Sequence, residues 1–521
     1  MANDLLASTN RHYRKSKSGS GPLPHGCTYV DIPTRGAMAE CLRSSGMKVS
    51  SILFDKQLRQ HPLQFLLTLL YRVRTDSLLR NSLFIMGTNI VTALFGYIFW
   101  LVAAHTYSTY DVGLGSAIIS VMALASTIAL MGMDATLVQM LPRRESGYAW
   151  SLTLNAGLLT GLLAGLLAGV VVLIALPLFS PPFAFIENEW SYLIAIVVGV
   201  PLMTVSFLLD QAFIAERAAH NKLARQFTAA VLKIPLLVLP VVLMVRIGAL
   251  GVFLPGVVAM AVILIGGMLL IPRLGRGYRL TPDGMVEEVR SMLSSLAGNQ
   301  FINLGGILPY YLLPVFVATL LSPSDNAYYY MTLRLAEFFT MGSYAVSMSL
   351  FAEGSHDTEA LAKKVRSSIL FIGIIIGPAM VFCLFAGRYI LLLFGPDYAQ
   401  HGLVLFIIYV LSTVPDAITN VYLTVLRVQN RLRFAGFINV GMGALTLILT
   451  WELLPRLGIA GAGWAFLIAQ TAGSLVAGAD FMFTRRHQHR NSTSAFQPDS
   501  GHTERDALNR QGDESSGEVI Y

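Results

Sequence analysis

The sequence predicts an all-α integral membrane protein with about twelve transmembrane helices in two six-helix lobes. Three observations predict this fold class. The 521 residues have a mean hydropathy of +0.61 and only 13% of them are charged, whereas soluble domains carry about 25% charged residues. Long apolar stretches follow one another along the chain, and part of the first half recurs in the second. A water-soluble protein of this length has no core large enough for so many apolar faces.

The apolar stretches are the predicted transmembrane helices. Each is close to the length of about 20 helical residues that a hydrocarbon core of about 30 Å requires. Their approximate limits are 82–104, 114–139, 150–178, 191–214, 227–245, 249–272, 293–320, 328–351, 367–386, 403–426, 435–455 and 457–482.

The charges between the spans orient them in the membrane. With both termini on the cytoplasmic side, 32 of the 37 Lys and Arg residues lie in cytoplasmic segments. Outer loops contain only Arg246, Arg388 and Arg456, and two further cations, Lys233 and Arg334, lie within spans. Because cytoplasmic loops of membrane proteins carry an excess of Lys and Arg, we expect a multi-pass protein of the cytoplasmic membrane with both termini inside.

An internal repeat appears when the two halves are overlaid at an offset of 210 residues. Arg246-Ile-Gly-Ala-Leu-Gly-Val then aligns with Arg456-Leu-Gly-Ile-Ala-Gly-Ala, and Asp210 aligns with Asn420. Six helices per half is an even number, so the two lobes have the same orientation in the membrane. This parallel repeat is typical of transporters whose lobes move against each other around a central cavity.

Composition divides the chain into six segments. The two ends are Ser-, Gly- and Arg-rich or otherwise polar and aperiodic, which predicts disorder. The apolar run 63–71 is too short to span a membrane and has arginines on both sides, which favours an interfacial helix. The segments are a basic cytoplasmic arm (1–56), an interfacial amphipathic helix (57–80), an N-terminal lobe (81–272), a cytoplasmic linker (273–292), a C-terminal lobe (293–483) and a cytoplasmic tail (484–521).

Glycines recur every four residues in the third span, at positions 157, 161, 165 and 169. At this spacing they share one face of a helix, and the missing side chains permit a neighbouring helix to approach closely. We therefore predict tight packing of this span against another.

Enzyme signatures are absent from the sequence. It contains no phosphate-binding loop, no H-E-x-x-H pair and no Cys/His metal spacing. The three cysteines lie far apart, which argues against a disulfide or a metal role. We therefore predict a transporter without catalytic residues, metal or cofactor. The basic arm has no recognised nucleic-acid module, so anionic membrane lipids, and not nucleic acid, are its expected partners.

Charged residues inside the spans are the first candidate site residues, because burying them in hydrocarbon costs several kcal/mol. Lys233 either attracts a phosphate group to a cavity or forms a structural ion pair with Asp210. Arg334 precedes Glu337 by three residues on nearly the same helix face. Its guanidinium can hold a pyrophosphate through paired donors, or it can pair with Glu337 within the helix.

Amide and tyrosine side chains are the second group of candidates. They suit sugar hydroxyls, which need donors, acceptors and flat apolar faces. Hydrogen bonding between helices is the alternative explanation. The members are Asn299, Gln300, Asn303, Tyr310 and Tyr311 in the seventh span, Asn89 and Tyr97 in the first, and Asp416 with Asn420 in the tenth.

Four stretches resemble the polysaccharide flippase branch of the multidrug/oligosaccharidyl-lipid/polysaccharide (MOP) exporter superfamily, the Wzx-like transporters of O-antigen and exopolysaccharide. The resemblance covers about residues 78–483. The stretches are Asn81-Ser-Leu through Gly96-Tyr-Ile-Phe-Trp, Ala327-Tyr-Tyr-Tyr-Met-Thr-Leu-Arg-Leu-Ala-Glu, Leu392-Leu-Phe-Gly-Pro-Asp-Tyr-Ala and Leu457-Gly-Ile-Ala-Gly-Ala-Gly-Trp-Ala.

That resemblance implies two lobes with alternating access and a lipid-pyrophosphate-linked oligosaccharide carried to the outer leaflet. It also implies cell-surface polysaccharide biosynthesis, such as that of lipopolysaccharide O-antigen, with a glycan polymerase or glycosyltransferases as partners. Related flippases present cations to the pyrophosphate, and Arg334 lies in a family-like stretch. The first and second spans lack the Lys or Arg that some relatives place there.

Three alternatives stay open at this point. A MATE-type cation-coupled exporter shares the twelve-helix repeat, but such exporters commonly have a carboxylate in the first span, where this chain has Asn89. A lipid II flippase typically has fourteen spans. A membrane-embedded glycan polymerase or ligase is an enzyme, and the short outer loops argue against it.

Overall fold

The computed structural model describes residues 77–494 except 131, 246, 282, 294–299, 338–360 and 430. Side chains are not described at 78, 79, 293, 300–304, 361–372, 375, 376 and 481–494. The predicted N-terminal arm and nearly all of the predicted interfacial helix therefore lie outside the described residues. The described residues form α-helices joined by short turns and 3₁₀ segments, with no β-strand among them.

The helices are numbered in chain order. Those up to the linker are α1 Ser77–Thr106, α2 Thr109–Leu130, α3 Met133–Met140, α4 Tyr148–Phe179, α5 Trp190–Ala215, α6 Ala219–Val242, α7 Leu250–Leu270 and α8 Met285–Leu293. Those of the second lobe are α9 Gln300–Leu320, α10 with described residues 323–337, α11 Leu361–Leu392, α12 Pro396–Val428, α13 Leu432–Leu457 and α14 Ala460–Ser494.

Twelve of these helices correspond to the predicted spans, which confirms the fold class. Nine described helices are long and apolar enough to cross a membrane, and α9 and α11 contain the shorter apolar segments Gly305–Leu320 and Gly377–Leu392. The twelfth, α10, begins at residue 323 and is described to residue 337. Of the two short helices, α3 belongs to the second predicted span and α8 lies at the linker between the lobes.

Two of the differences between the predicted and observed limits have a local cause in the sequence. The stretch 114–139 is divided between α2 and α3 at Gly132, whose φ of 84° lies in the left-handed region that favours glycine. The predicted span 227–245 begins earlier, at Ala219. Its first turns contain Lys222 and Arg225. Because their charges lower the local hydropathy, the apolar pattern predicted a later start for this helix.

The glycine face of α4 packs against α5, as the four-residue spacing predicts. A Cβ at Gly161 would lie 2.3 Å from Cδ1 of Leu208, and one at Gly165 would lie 2.7 Å from Cα of Pro201. Distances this short leave no room for a side chain. The opposite face of α4 carries exposed leucines, including Leu163 and Leu167, as expected of a helix surface in contact with lipid.

A buried ion pair joins α5 to α6 inside the first lobe. The side chains of Asp210 and Arg225 are 2% and 3% exposed and bond directly to each other. Nε of Arg225 donates to the carbonyl of Ile263 on α7 (3.0 Å), and Nη2 donates to Oγ of Ser206 (2.8 Å). Gln226 donates to the second oxygen of Asp210 at 2.7 Å. The network therefore connects three helices.

This network corrects the ion pair expected between Lys233 and Asp210. The partner of Asp210 is Arg225, because α6 begins at Ala219 and so carries Arg225 into the lobe interior. Lys233 lies two turns further along α6 and forms no ion pair within the described part of the chain.

The linker between the lobes is attached to the first lobe by ion pairs. Arg276 bonds to Glu216 (Nε to Oε2, 2.7 Å), which also accepts from Nε1 of Trp150 (2.8 Å). Arg144 bonds to Glu288 of α8 at 2.6 Å. Tyr278 donates to Oδ1 of Asn155 (2.9 Å), and burial raises the pKa of the Tyr278 phenol.

The two lobes meet where α1 leads into α2 and α9 into α10, at the end of the bundle that the loop charges place outside. Nδ2 of Asn326 donates to the carbonyl of Gly113 (2.7 Å) and to Oγ of Ser116 (3.1 Å). Ser116 and Asn326 are repeat equivalents, since 210 residues separate them. A Cβ at Gly113 would lie 1.6 Å from the carbonyl oxygen of Pro323, also its repeat equivalent. Thus α2 and α10 meet at matching positions.

Aromatic rings extend this contact between the lobes. Trp100 of α1 lies against Tyr330 of α10 with ring centroids 4.8 Å apart. Tyr97 of α1 lies 5.3 Å from Phe394, at the end of α11. Trp100 and Tyr330 are both buried, so this end of the molecule is closed by packed side chains.

Arg225→Met is expected to destabilise the protein by about 3–5 kcal/mol, because it leaves the Asp210 carboxylate buried without its cation. Thermal unfolding of the purified protein in detergent measures the loss. Arg225→Met combined with Asp210→Leu should recover part of it. As a control, Arg456→Met removes a pair whose side chains are 73% and 59% exposed and should change little. Equal stability of Arg225→Met and the unaltered protein would contradict the structural role.

Candidate functional site

A cavity of about 440 Å³ lies inside the second lobe. Its volume falls within the range of about 300–1,000 Å³ that is usual for small-ligand sites. Helices α9, α10, α12, α13 and α14 form the walls. The polar residues that line it are Tyr310, Tyr329, Glu337, Tyr409, Thr413, Asp416, Thr419, Asn420, Thr424, Arg427, Asn439, Thr446 and Gln470.

One face of α12 supplies much of this polar lining. Its members are Tyr409, Thr413, Asp416, Asn420, Thr424 and Arg427. They follow one another at intervals of three or four residues, which places them on one side of a helix. This stripe was visible in the sequence, but only Asp416 and Asn420 were selected as candidates. The recurrence of polar residues at intervals of three or four within an apolar span is the sequence signal that identifies the other members.

Hydrogen bonds within the lobe order the lining. Asn420 donates to Oδ2 of Asp416 (3.0 Å), and the hydroxyls of Tyr329 and Tyr409 lie 3.1 Å apart. Thr424 donates to the carbonyl of Asn420 (2.8 Å), which leaves its oxygen able to accept. Oε1 of Gln470 is buried and has no hydrogen-bond partner among the described residues. The cavity therefore offers acceptors that a ligand with hydroxyl groups can use.

Arg334 lies at the wall of the cavity, on α10. Its Nη1 donates to the hydroxyl of Tyr310 and to the carboxylate of Glu337 (2.9 Å to Oε2), and both partners line the cavity. Its Nη2 donates to the hydroxyl of Tyr330, and the guanidinium carbon lies 4.5 Å from the Tyr330 ring centroid. Nε is buried without a partner among the described residues. The intrahelical pair with Glu337 is thus present, and two tyrosines add to it.

The internal repeat relates this cavity to the buried ion pair of the first lobe. The offset of 210 pairs Ser206 with Asp416, Asp210 with Asn420, and Arg225 with Ala435. In the first lobe the guanidinium of Arg225 fills the space beside Ser206 and Asp210. In the second lobe Ala435 is fully buried and lies one turn before Asn439, which lines the cavity. An alanine thus occupies the position that corresponds to the arginine, and the cavity lining on α13 begins one turn later, at Asn439.

The candidates of the first lobe lie away from this cavity. Lys233 is half-buried on α6, one turn before Leu237. The carbonyl of Leu237 accepts a hydrogen bond from Tyr107 (2.8 Å), and its side chain belongs to the buried cluster of Trp100 and Tyr330. Lys233 therefore lies one turn from the contact between the lobes, on the side of the predicted cytoplasmic end.

The other predicted residues are dispersed. Asn89 is exposed on α1, and Tyr97 packs on Phe394. Tyr311 lies edge-on to Tyr310, with centroids 4.8 Å apart, but is not among the residues that line the cavity.

The three amides of the seventh span cannot be placed at the site. Asn299 lies outside the described residues. Gln300 and Asn303 have a described helical backbone, but their side chains are not described. Within the described part of the chain, no three His, Cys, Asp or Glu side chains converge as a metal site would require.

A cysteine at position 446, which lines the cavity, should react with a small water-soluble thiol reagent in a variant that lacks the three native cysteines. A cysteine at position 450 should not, because Thr450 lies one turn further along α13, is fully buried and is not part of the lining. The comparison of Thr446→Cys with Thr450→Cys in lipid vesicles measures this difference. Equal labelling of both positions would contradict the assigned cavity.

Comparisons with known proteins show which families and structures this chain resembles. Residues 78–329, just under half of the chain, match the family model of polysaccharide biosynthesis proteins. No curated protein sequence matches the chain. A structure of the lipid II flippase MurJ in an inward closed conformation is 13% identical in sequence and superposes with a TM-score of 0.59. The superposition covers 77% of this chain and 87% of the MurJ chain.

Two structures of multidrug resistance MATE family transporters of the MOP superfamily are similar to it as well. The inward-facing one is 13% identical with a TM-score of 0.57, covering 76% of this chain and 94% of its own. The outward-facing one is 13% identical with a TM-score of 0.50, and the superposition covers 79% of this chain and 95% of the transporter chain. At these identities the structures establish the fold, and the family match adds sequence evidence. The chain is a multi-pass membrane protein with the fold of these flippase and exporter structures.

Proposed function

We propose that the protein is a flippase that moves a polyprenyl-pyrophosphate-linked oligosaccharide across the cytoplasmic membrane by alternating access, for cell-surface polysaccharide synthesis. The observation that carries the proposal is the cavity inside the second lobe, which has hydroxyl, amide and aromatic side chains on its walls. The match of residues 78–329 to polysaccharide biosynthesis proteins supports the same class of cargo.

The chemistry of a saccharide fits this lining. Sugar hydroxyls both donate and accept hydrogen bonds, and threonine, asparagine and glutamine side chains supply both functions. The flat rings of Tyr409 and Phe466 also line the cavity and suit the apolar face of a sugar ring. A saccharide cannot cross hydrocarbon unaided because its polar groups lose their hydrogen bonds there. A polar cavity within an apolar bundle restores those bonds while the lipid tail stays in the bilayer.

The pyrophosphate requires a cation, and we assign this role to Lys233. Its ammonium group has no ion-pair partner within the described part of the chain. A charge inside a membrane protein that lacks an internal partner commonly marks a substrate pathway. Lys233 also lies one turn from the closed contact between the lobes, where an anion that enters from the predicted cytoplasmic end would arrive.

The contacts between the lobes support loading from the cytoplasmic side. Asn326, Gly113 and the ring pair Trp100–Tyr330 close the end that the loop charges place outside. Release at the outer leaflet would require these contacts to separate. The present conformation is therefore one that receives cargo.

A second candidate function is cation-coupled export of small organic cations. The observation that favours it is the presence of two carboxylates, Glu337 and Asp416, in the same cavity. The likeness to structures of MATE family transporters is consistent with it.

Purified protein in lipid vesicles should transfer a fluorescent polyprenyl-pyrophosphate-linked disaccharide between leaflets. Lys233→Ala should slow transfer at least about tenfold, the effect of losing about 1.4 kcal/mol of stabilisation, and Lys233→Arg should retain it. The readout is reduction of the fluorophore by an impermeant reagent. Movement of an organic cation without movement of the lipid-linked sugar would establish the exporter instead.

Ala435→Arg should abolish this transfer. It introduces an arginine at the second-lobe position that corresponds to Arg225, where the side chain would reach toward Asp416 and Asn420 of the cavity. Ala435→Ser is the matched control and should transfer normally, since it adds one small polar atom. Expression and thermal unfolding show whether each variant is folded. Normal transfer by folded Ala435→Arg would remove the cavity from the proposed mechanism.

A further inference from the structure

Arg334 connects two places that no sequence pattern links. Its Nη1 bonds to Tyr310 and Glu337, which face the cavity of the second lobe. Its Nη2 bonds to Tyr330, whose ring lies against Trp100 of the first lobe. One guanidinium group therefore touches both the cavity wall and the contact between the lobes.

The ring pair Tyr330–Trp100, which Arg334 contacts through Nη2, is tightly packed between the lobes. Tyr330 is 1% exposed and Trp100 is 8% exposed. Phe99 holds Trp100 from the first-lobe side with ring centroids 5.1 Å apart. Close-packed interiors transmit strain and do not deform freely. A movement of one of these rings therefore moves the ring packed against it. A shift of the Tyr330 hydroxyl is thus passed to Trp100.

The cavity side of the connection is open to a ligand. Glu337 accepts from Nη1 at 2.9 and 3.1 Å and lines the cavity together with Tyr310. Hydroxyl groups of a sugar would compete for this carboxylate and this phenol. Arginine holds its partners in a rigid planar fork, so a change at Nη1 alters the geometry at Nη2. Lysine, with a single rotatable ammonium group, would not couple the two.

We propose that Arg334 is a positioning residue that couples occupancy of the second-lobe cavity to the contact between the lobes. A ligand that engages Glu337 and Tyr310 displaces Nη1 from these acceptors, and the rigid guanidinium then shifts at Nη2 as well, which alters its bond to Tyr330 and loosens the Trp100–Tyr330 packing. The assignment rests on the proposed function of the cavity, and it differs from direct pyrophosphate binding by Arg334. The protein then opens its outer end only when cargo is bound.

The test measures the contact between the lobes and ligand binding separately. Thr109 and Ser324 face each other across the lobes, with hydroxyl oxygens 3.4 Å apart. In a variant without native cysteines, Thr109→Cys and Ser324→Cys provide a disulfide whose yield reports closure. Binding of the fluorescent polyprenyl-pyrophosphate-linked disaccharide is measured on the same sample. Bound probe should lower the disulfide yield of this parent protein severalfold.

Tyr330→Phe is the most informative variant, because it removes the acceptor for Nη2 and keeps the ring against Trp100. Both Tyr330→Phe and Arg334→Lys should bind the probe with a dissociation constant within about twofold of that of the parent, a free-energy difference of roughly RT ln 2. In both variants the disulfide yield should no longer fall when the probe binds. Tyr389→Phe, an exposed tyrosine on α11, should respond as the parent does.

Each other outcome overturns a different claim. A normal response in folded Tyr330→Phe and Arg334→Lys would overturn the coupling. Loss of binding in Arg334→Lys with normal binding in Tyr330→Phe would make Arg334 a direct ligand contact and would also overturn it. Absence of binding to the parent protein would overturn the proposed function, and the coupling with it.

Discussion

The ion pair between Arg225 and Asp210 is the buried interaction that connects the helices inside the first lobe. It is buried in the first lobe, joins α5 to α6 and reaches α7 through the carbonyl of Ile263. A buried ion pair is stable only when its remaining donors and acceptors are satisfied, and Ser206 and Gln226 complete that requirement. The first lobe therefore has an ion pair at Asp210, whose repeat equivalent in the second lobe, Asn420, lines the cavity.

A membrane protein has a particular reason to keep such a cavity. Threonine, asparagine and acidic side chains on α12 would lose their hydrogen bonds if they faced lipid, and each loss is costly in hydrocarbon. They are instead collected on one helix face within the second lobe. The same arrangement that protects these groups from lipid presents them to a hydrophilic ligand. Equivalent positions of the repeat thus form a buried ion-pair network in the first lobe and part of a polar cavity lining in the second.

Much of the fold was predictable from the sequence, because the length of apolar stretches and the distribution of loop charges are local properties. The start of α6 was not, since Arg225 resembles a loop residue until its buried partner Asp210 is known. The candidates Tyr310, Glu337, Asp416 and Asn420 do line the cavity, but α12 contributes four further members of its polar face. The contacts of Arg334 with Tyr310 and Tyr330 join separate helices, and helical spacing within one span carries no information about such neighbours.

The central claim of the proposed function is that cargo binds in the cavity of the second lobe and not in the first lobe. An experimental structure of the full chain in lipid, determined with a polyprenyl-pyrophosphate-linked disaccharide, tests it most directly. The account predicts saccharide density in the second-lobe cavity beside Asn420 and Gln470, with the Arg225–Asp210 pair intact in the first lobe. Saccharide density confined to the first lobe or to the space between the lobes, with only solvent in the second-lobe cavity, would contradict it.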